Sequence, residues 1–345
     1  MSNQATGNRQ QAKPSPRGEG VSPQGLTDEG SPLIHHAVGA VMPREAGPSG
    51  SHRPEAPVPV ILRETAYGKL NLTLDVLGKR PDGYHDLEMV MCSVALSDEL
   101  ELTLGTGEAW SVVCDRMDLP QNEGNLCWKA ARAYFDAAGL DPAGLRIALR
   151  KAIPAQAGMA GGSADAAAVL RALNRHYGLF SPEALREIGL RVGSDVPYCL
   201  FGGMALARGR GELLSRLPAL PKGLCFVLAK PEFSVSTPAL FRQLDAVGVT
   251  QRPDTPAMLR ALEAGNAAEI GRQLANAFEP AVAADYPVVE QIRRVLLAKG
   301  ALGARLTGTG SVVFGLFDDE DATRAAAAAL APLCPQAWTV APVDN

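Results

Sequence analysis

Polar and apolar residues alternate at positions 69–76, where every second side chain is apolar. Side chains two residues apart lie on the same face of a β-strand. The segment therefore predicts a half-buried strand with one apolar and one polar face. The apolar positions are Leu70, Leu72, Leu74 and Val76, and the polar positions are Lys69, Asn71, Thr73 and Asp75.

Other periodic segments predict a mixture of strands and helices. Ser181 is a favourable N-cap and Pro182 suits the first helical position, so one helix is expected to begin at residue 182. The N-terminal half is rich in strands, with its helices in series, which favours an α+β fold over alternating βαβ units. Further strands are predicted at 87–96, 99–104, 145–151, 224–229 and 311–317, and further helices at 126–138, 163–177, 237–246, 255–264, 267–284, 288–299 and 321–330.

Residues 1–58 are dominated by Pro, Gly, Ser, Gln and charged types, with hardly any aromatic side chain. Such a composition buries too little apolar surface to offset the entropy of ordering, so a disordered tail is expected at 1–58. A Pro-rich link at 216–222 divides the rest of the chain. We expect an N-terminal domain at 59–218 and a C-terminal domain at 219–345.

Composition and charge exclude several classes of protein. A length of 345 residues with 46% apolar side chains is enough for a sizeable core in about two domains. The net charge of -4 argues against nucleic acid as a partner, since binding a polyanion needs clustered Lys and Arg. No apolar run reaches the roughly 18 residues of a membrane span, so no membrane partner is expected. Six dispersed cysteines predict reduced thiols and a cytoplasmic location.

The segment PAQAGMAGGSA at 154–164 lies between a predicted strand and a predicted helix. Its glycines allow the backbone to approach a phosphate, and the free N–H groups at the start of the helix supply donors and a positive dipole end. It lacks the Gly-Lys-Ser/Thr of a P-loop and the spacing of the dinucleotide fingerprint. The segment predicts a phosphate cradle, although a glycine turn that serves only packing explains it equally well.

Two further segments favour the phosphate cradle. LTGTGS at 306–311 precedes an apolar strand and offers backbone donors and hydroxyls. Lys69 and Asn71 place polar side chains on one face of the first strand, and GKRPDGYH follows at 78–85. Each segment alone is weak evidence, because a lysine on a strand is usually solvated and a tyrosine such as Tyr84 is usually structural. Their combination and order are specific.

In this order, the segments 69–71, 78–85, 154–164, 193–197 (GSDVP) and 306–311 resemble the motifs of the GHMP kinase superfamily. The resemblance covers the chain from residue 63 to the C-terminus. It implies a two-domain α+β fold, with an N-terminal domain similar to ribosomal protein S5 domain 2 and a C-terminal ferredoxin-like domain. The active site is then expected in the cleft between them.

The 78–85 loop best resembles the branch of the superfamily that phosphorylates the 2-hydroxyl of 4-diphosphocytidyl-2-C-methyl-D-erythritol, in the non-mevalonate route to isoprenoid precursors. The resemblance implies that Tyr84 stacks on the cytosine, that His85 hydrogen-bonds its edge and that Phe241 lies on its other face. A stacked base contributes about 1 to 3 kcal/mol. The implied cofactors are ATP and Mg²⁺, and the implied partner is this small-molecule substrate.

The resemblance also implies a role for each matched residue. Asp195 is expected to accept the proton of the attacking hydroxyl, while Lys69 orients that hydroxyl and offsets negative charge. The expected ATP-binding residues are Pro154, Ala155, Gln156, Ala157, Gly158, Met159, Ala160, Gly161, Gly162, Ser163 and Ala164. The expected substrate-binding residues are Asn71, Tyr84, His85, Thr237, Phe241, Thr307, Gly308, Thr309 and Gly310.

The phosphate loop departs from the family pattern Gly-Leu-Gly-Gly-Gly-Ser-Ser at Met159, Ala160 and Ala164. Ala160 has less backbone freedom than glycine, and Ala164 lacks a hydroxyl. Ser163 is therefore the hydroxyl in this loop that is left to bind phosphate or Mg²⁺.

Two alternative functions remain open from the sequence. One is another GHMP-type kinase, acting on homoserine or mevalonate, which has no need of Tyr84 and His85. The other is a non-catalytic nucleotide-binding module, against which the presence of both Lys69 and Asp195 argues. Asp195 itself has a structural alternative as a helix or turn cap.

The expected disorder of the tail leads to a prediction. A protein that starts near Val58 should keep the melting temperature and turnover of the full chain, because a disordered segment contributes no packing. Thermal unfolding and steady-state assays of both proteins measure this. A large loss of either quantity would show that residues 1–57 are a binding or folding segment.

Overall fold

Two β-sheets organise the structure, a computed structural model that describes residues 59–344. The tail predicted at 1–58 lies outside the described residues. The strands are β1 (Val60–Lys79), β2 (His85–Leu104), β3 (Ser111–Cys114), β4 (Leu145–Arg150), β5 (Ala205–Gly209), β6 (Leu213–Arg216), β7 (Cys225–Lys230), β8 (Ala275–Asn276), β9 (Gly303–Leu306), β10 (Val313–Phe317), β11 (Gln336–Val340) and β12 (Pro342–Val343). The helices are α1 (Leu126–Ala138), α2 (Gly161–Tyr177), α3 (Pro182–Val192), α4 (Val196–Phe201), α5 (Thr237–Val247), α6 (Thr255–Glu263), α7 (Ala267–Gln273), α8 (Glu279–Asp285), α9 (Val288–Ala298) and α10 (Glu320–Ala329).

The first sheet runs in the order β3-β4-β2-β1-β8, with β5 bonded to β2 and β6, and β12 bonded to β2. Its pairs β3–β4 and β1–β8 are parallel. The second sheet is antiparallel in the order β11-β7-β10-β9. Strands β8 and β12 come from beyond residue 218, so the second half of the chain completes the first sheet. The domain boundary at 218/219 stays a prediction.

The β1–β2 pair differs from its prediction in two ways. The patterns at 87–96 and 99–104 belong to one strand, β2, which pairs with β1 through three shifts of register. The segment 69–76 is buried on both faces, with Lys69 only 4% exposed and Asn71 only 1% exposed, so the prediction of a half-buried strand is wrong. The loops 154–164 and 306–311 lie against it, because Lys69 Nζ donates to Gly158 O (2.6 Å), the Lys69 N–H donates to Met159 O (3.1 Å) and the Asn71 N–H donates to Thr307 Oγ1 (3.0 Å).

Helices α1 and α2 pack together against the first sheet and bury much of its core. The side chain of Asn125 caps α1 by accepting from Cys127 N, and Gly139 ends it at φ 63°. The predicted start of α3 is confirmed, since Ser181 Oγ accepts from Ala184 N. Among residues 59–344 no helix has both the length and the apolarity to cross a membrane. The six cysteines are free thiols, as predicted.

The prediction of one long helix at 267–284 is wrong. The structure breaks this segment into α7, β8 and α8. The break is stabilised by Asn276, whose Nδ2 donates to Leu306 O and Gly308 O at 2.8 Å and whose Oδ1 accepts from Phe278 N at 2.9 Å. Bonds to residues 30 positions away override the local helical pattern, and they hold the loop that follows β9.

The glycine-rich loops 154–164 and 306–311 touch through their backbones. Gly158 has φ 76°, and a Cβ there would lie 2.1 Å from Thr307 O. A Cβ on Gly308 would lie 2.8 Å from Gly158 O. The Val312 N–H also donates to Ala157 O (3.2 Å). Glycine is therefore required at 158 by contact as well as by conformation.

A pair of substitutions in one loop tests this packing. Gly158→Ala should destabilise the protein by about 2 kcal/mol or more, because left-handed backbone costs a side chain roughly 1 to 2 kcal/mol and the contact with Thr307 must also shift. Ala160→Gly is the control, since Ala160 already has φ 57° and glycine adopts that conformation freely. Chemical unfolding of both variants measures the effect. A Gly158→Ala protein as stable as the parent would contradict the contact.

Candidate active site

Two cavities meet at the loop 154–164. The β1 cavity has a volume of about 650 Å³ and includes Lys69 in its wall. The α2 cavity has a volume of about 400 Å³ and is lined by the first turn of α2. Gln156, Gly158 and Ala160 line both cavities. Two ligands, one in each cavity, would be separated only by this stretch of loop.

The β1 cavity gathers most of the residues predicted for catalysis and substrate binding. Thr307 is the exception, because it is fully buried and holds the backbone of Asn71. The predicted residues in the wall are Lys69, Asn71, Tyr84, His85, Asp195, Thr237, Phe241, Gly308, Thr309 and Gly310. A wider groove of about 1080 Å³, beside Arg63 and Arg175, contains none of the predicted site residues.

The α2 cavity gathers most of the residues predicted to bind ATP. Those in its wall are Pro154, Ala155, Gln156, Ala157, Gly158, Ala160, Gly161, Gly162 and Ser163. Met159 and Ala164 are each 1% exposed and line neither cavity. The absence of a hydroxyl at Ala164 therefore does not alter the wall of the α2 cavity.

Lys69 joins β1 to the phosphate loop. Its Nζ donates to Asn71 Oδ1 and to Gly158 O, both at 2.6 Å. An ammonium has three N–H donors, so one remains for a ligand in the β1 cavity. Burial lowers the pKa of Lys69, and the negative charge of Asp195 opposes that shift. Among the described residues Lys69 Nζ bonds to Asn71 and Gly158 and not to Asp195, which acts on it through its charge.

Asp195 occupies the N-cap position of α4 but makes no side-chain capping hydrogen bond. Its backbone carbonyl accepts from Cys199 N at 3.0 Å, and its side chain lines the β1 cavity. The alternative in which the carboxylate serves as a cap is wrong for this helix. Within residues 59–344 the carboxylate has no hydrogen-bond partner, which leaves its oxygens available to a ligand.

A buried triad beneath the phosphate loop was not predicted from the sequence. Lys151 Nζ donates to Asp165 Oδ2 (2.5 Å) and to Asp98 Oδ2, and Asp98 Oδ1 accepts from Ala152 N (2.6 Å) and Ile153 N (2.8 Å). Burial raises the pKa of Asp165 to about 7, against the attraction of Lys151. Lys151 and Asp165 both line the α2 cavity, so a fixed ion pair lies beside the start of α2.

The far end of the β1 cavity is built from aromatic rings. His85 and Phe241 are stacked, with centroids 4.4 Å apart, and Phe278 meets Phe241 edge-on at 4.9 Å. Asp245 Oδ1 lies 2.7 Å from His85 Nε2, and Asp245 Oδ2 accepts from Lys79 at 2.7 Å. These contacts fix both rings, and among residues 59–344 Nδ1 of His85 has no hydrogen-bond partner.

Asp245 was missed from the sequence, although a signal was present. It follows Phe241 by four residues on α5, and residues four apart share one face of a helix. The hydrogen bonds from Lys79 and His85 hold the pKa of Asp245 below its ordinary value. A charged carboxylate therefore faces the ring of His85.

Arg210 was also missed, and it lies against Tyr84. Its guanidinium carbon is 3.6 Å from the centre of the Tyr84 ring, which is 49% exposed. Arg210 follows β5 in the turn before β6, where no local pattern marks it as part of a site. Both residues line the β1 cavity.

Two family profiles match the chain. GHMP kinases N terminal domain matches residues 125–203, and GHMP kinases C terminal matches residues 258–333. These matches confirm the predicted two-domain GHMP kinase fold. A crystal structure of 4-(cytidine 5'-diphospho)-2C-methyl-D-erythritol kinase is similar, with a TM-score of 0.68 and 32% identity over 82% of this chain and 100% of the other. Homoserine kinase from Cytophaga hutchinsonii shares the fold, with a TM-score of 0.67 and 20% identity over 82% of this chain and 95% of the other.

Curated relatives give a narrower assignment. The 4-diphosphocytidyl-2-C-methyl-D-erythritol kinase of Pelotomaculum thermopropionicum is 48% identical over 271 residues, which are 78% of this chain and 93% of the relative. The enzyme of the same name from Geobacter sulfurreducens is 43% identical over 76% of this chain and 92% of the relative. From the site, the fold and these similarities together, the chain belongs to the 4-diphosphocytidyl-2-C-methyl-D-erythritol kinase family of GHMP kinases.

Proposed function

We propose that this chain transfers the γ-phosphoryl group of ATP to the 2-hydroxyl of 4-diphosphocytidyl-2-C-methyl-D-erythritol, in the cytoplasmic non-mevalonate route to isoprenoid precursors. The observation that carries the proposal is the pair of cavities that share Gln156, Gly158 and Ala160 as a common wall. Phosphoryl transfer requires donor and acceptor to be held in line. Free thiols at all six cysteines support a reducing compartment.

ATP belongs in the α2 cavity. The first turn of α2 presents backbone N–H groups and the positive end of the helix dipole to the triphosphate. Lys151, whose charge is balanced by Asp98 and Asp165, lies in the same wall and can donate to the nucleotide. The proposed ATP-binding set is the loop 154–164 together with this lysine.

Mg²⁺ fits the donors of the α2 cavity. Ser163 supplies a hydroxyl and Asp165 a carboxylate, and Mg²⁺ at phosphate sites commonly takes one or two carboxylates together with substrate phosphates and water. No cluster of three His, Cys, Asp or Glu side chains holds a metal in the part of the chain that the structure describes. The ion, when bound with the nucleotide, would neutralise charge on the phosphates.

The acceptor hydroxyl lies next to Lys69 and Asp195 in the proposal. Asp195 has free carboxylate oxygens that accept the proton of the attacking hydroxyl. Lys69 uses its remaining N–H to orient that hydroxyl, while its bond to Gly158 O fixes the ammonium against the phosphate loop. A buried cation at this point stabilises negative charge more strongly than an exposed one.

The aromatic end of the β1 cavity takes the cytosine. His85 is held by Asp245 and Phe241, so it presents a fixed edge to the base. Tyr84 is half exposed and is covered on one face by Arg210, so its other face is the one proposed to stack on the base. Homoserine and mevalonate carry no base, and this arrangement favours a cytidylyl substrate over either of them.

An ADP-release assay tests the proposal. ADP should form from ATP only when the cytidylyl substrate is present, and CDP should compete with that substrate much better than UDP does. Release with homoserine or mevalonate instead would support the other GHMP-type kinases. No release with any acceptor would support a non-catalytic nucleotide-binding module.

We expect Asp195→Asn to keep the fold and ATP binding but to slow phosphoryl transfer by about 10² to 10⁴-fold, the usual range for a positioned general base. Lys69→Ala should slow it similarly. Both groups act on one hydroxyl, so the double variant should be little slower than either single one. Single-turnover rates at saturating ATP measure this, with circular dichroism as the control for folding. If the single-turnover rate of Asp195→Asn lay within a few-fold of the parent's, Asp195 would not be the general base.

Tyr84→Ala should raise the Michaelis constant for the cytidylyl substrate about tenfold and leave that for ATP nearly unchanged, because it removes one stacking surface. Tyr84→Phe is the matched control and should behave as the parent, since the ring remains. Some loss of turnover is compatible with the assignment, as a bound base helps to orient the hydroxyl. Equal rises in both constants would mean that Tyr84 is structural.

A further inference from the structure

Arg210 has the features of an anion-binding residue that is not satisfied by the protein. A guanidinium has five N–H donors. In residues 59–344, its donated hydrogen bonds are limited to one at 3.5 Å, from Nη2 to Ser194 Oγ. The pKa of Asp82 is lowered mainly by the hydrogen bond from the Tyr84 N–H and also by the charge of Arg210. Arg210 nevertheless forms no ion pair within 4.0 Å with a carboxylate of the described chain, and its Nε is buried without a partner. Buried polar groups of proteins are normally paired, so an unpaired guanidinium in a cavity wall indicates a ligand of opposite charge.

The position of Arg210 identifies which part of a ligand it meets. On one side its guanidinium covers the ring of Tyr84, and on the other it reaches Ser194, the neighbour of Asp195. Tyr84 marks the base end of the proposed substrate and Asp195 marks its reacting end. The groups between those two ends of the substrate are the ribose and the diphosphate, and of these the diphosphate carries the negative charge that a guanidinium binds.

The backbone holds Arg210 in this place. The Arg210 N–H donates to Glu212 Oε2 at 2.6 Å, and a Cβ on the following Gly211 would lie 3.6 Å from Ser194 O. The turn between β5 and β6 therefore packs beside the loop that carries Asp195. Stacking on Tyr84 orients the plane of the guanidinium before substrate arrives.

We propose that Arg210 binds the diphosphate of the nucleoside diphosphate substrate, with Tyr84 as the platform that orients it. Planar guanidinium groups bind phosphate oxygens in pairs, which lysine does not do. The residue would thereby link recognition of the base to placement of the hydroxyl beside Asp195. This inference rests on the proposed function, whose acceptor it describes in more detail.

Calorimetric binding of CDP and of cytidine to the full chain separates this role from a structural one. The parent should bind CDP more tightly than cytidine. Arg210→Gln should weaken the binding of CDP about tenfold to a hundredfold, the range for hydrogen bonds to charged groups. The binding of cytidine should stay nearly unchanged. The affinity of Arg210→Lys for CDP should lie between those of the parent and of Arg210→Gln. Arg208→Gln is the matched control, because Arg208 is exposed and pairs with Glu88 on the neighbouring strand.

Kinetics provide the second arm of the test. Arg210→Gln should raise the Michaelis constant for the cytidylyl substrate and leave that for ATP unchanged. If Arg210→Gln weakened the binding of CDP and of cytidine equally, the proposal would be overturned, since Arg210 would then only support Tyr84. A raised constant for ATP would also overturn it and place the guanidinium on the nucleotide donor. A parent that discriminates CDP from cytidine yet releases no ADP would contradict the proposed reaction and leave the role of Arg210 intact.

Discussion

The buried ammonium of Lys69 is the interaction on which the rest of the site depends. Removing a charge from water costs several kcal/mol unless hydrogen bonds replace the lost solvation. Two short bonds, to Asn71 and to Gly158 O, supply that replacement. They require the phosphate loop to lie directly on the polar face of β1. Gly158 then leaves room for the backbone of the second glycine loop, so one buried charge fixes the relation of three segments.

The same arrangement places positive charge along the path of the reaction in a chain whose net charge is -4. Lys151 lies under the start of α2, Lys69 lies where the two cavities meet, and Arg210 lies farther along the β1 cavity. The first is neutralised by two carboxylates, whereas Arg210 has none within 4.0 Å among residues 59–344. The charge of Arg210 is thus available to ligands at the acceptor end of the site, where the proposed substrate carries its diphosphate.

The sequence predicted those parts of the fold whose signals are local. The cap of α3 and the two glycine-rich loops follow from side chains within a few residues of each other. The break at Asn276 was not predicted, because its hydrogen bonds join residues 30 positions apart. For the same reason the burial of the polar face of β1 was not foreseen. A period of two identifies a strand but not what covers its second face.

The candidate site shows the same division. Most of the residues predicted from motif order lie in the walls of the two cavities, whereas Asp245, Arg210 and the Lys151 triad were missed. Arg210 occupies a turn with no motif, and the triad brings together residues from three separate segments. Only contact in three dimensions shows that these groups are unpaired or buried together.

Phosphorus NMR of the reaction mixture tests the central claim most directly. With the chain, Mg²⁺, ATP and the cytidylyl substrate, the account predicts one new phosphomonoester signal that grows in equal amount with ADP, while the diphosphate of the substrate stays intact. Formation of ADP with free phosphate alone, or cleavage of the diphosphate, would contradict transfer between ligands held in the two cavities that share Gly158.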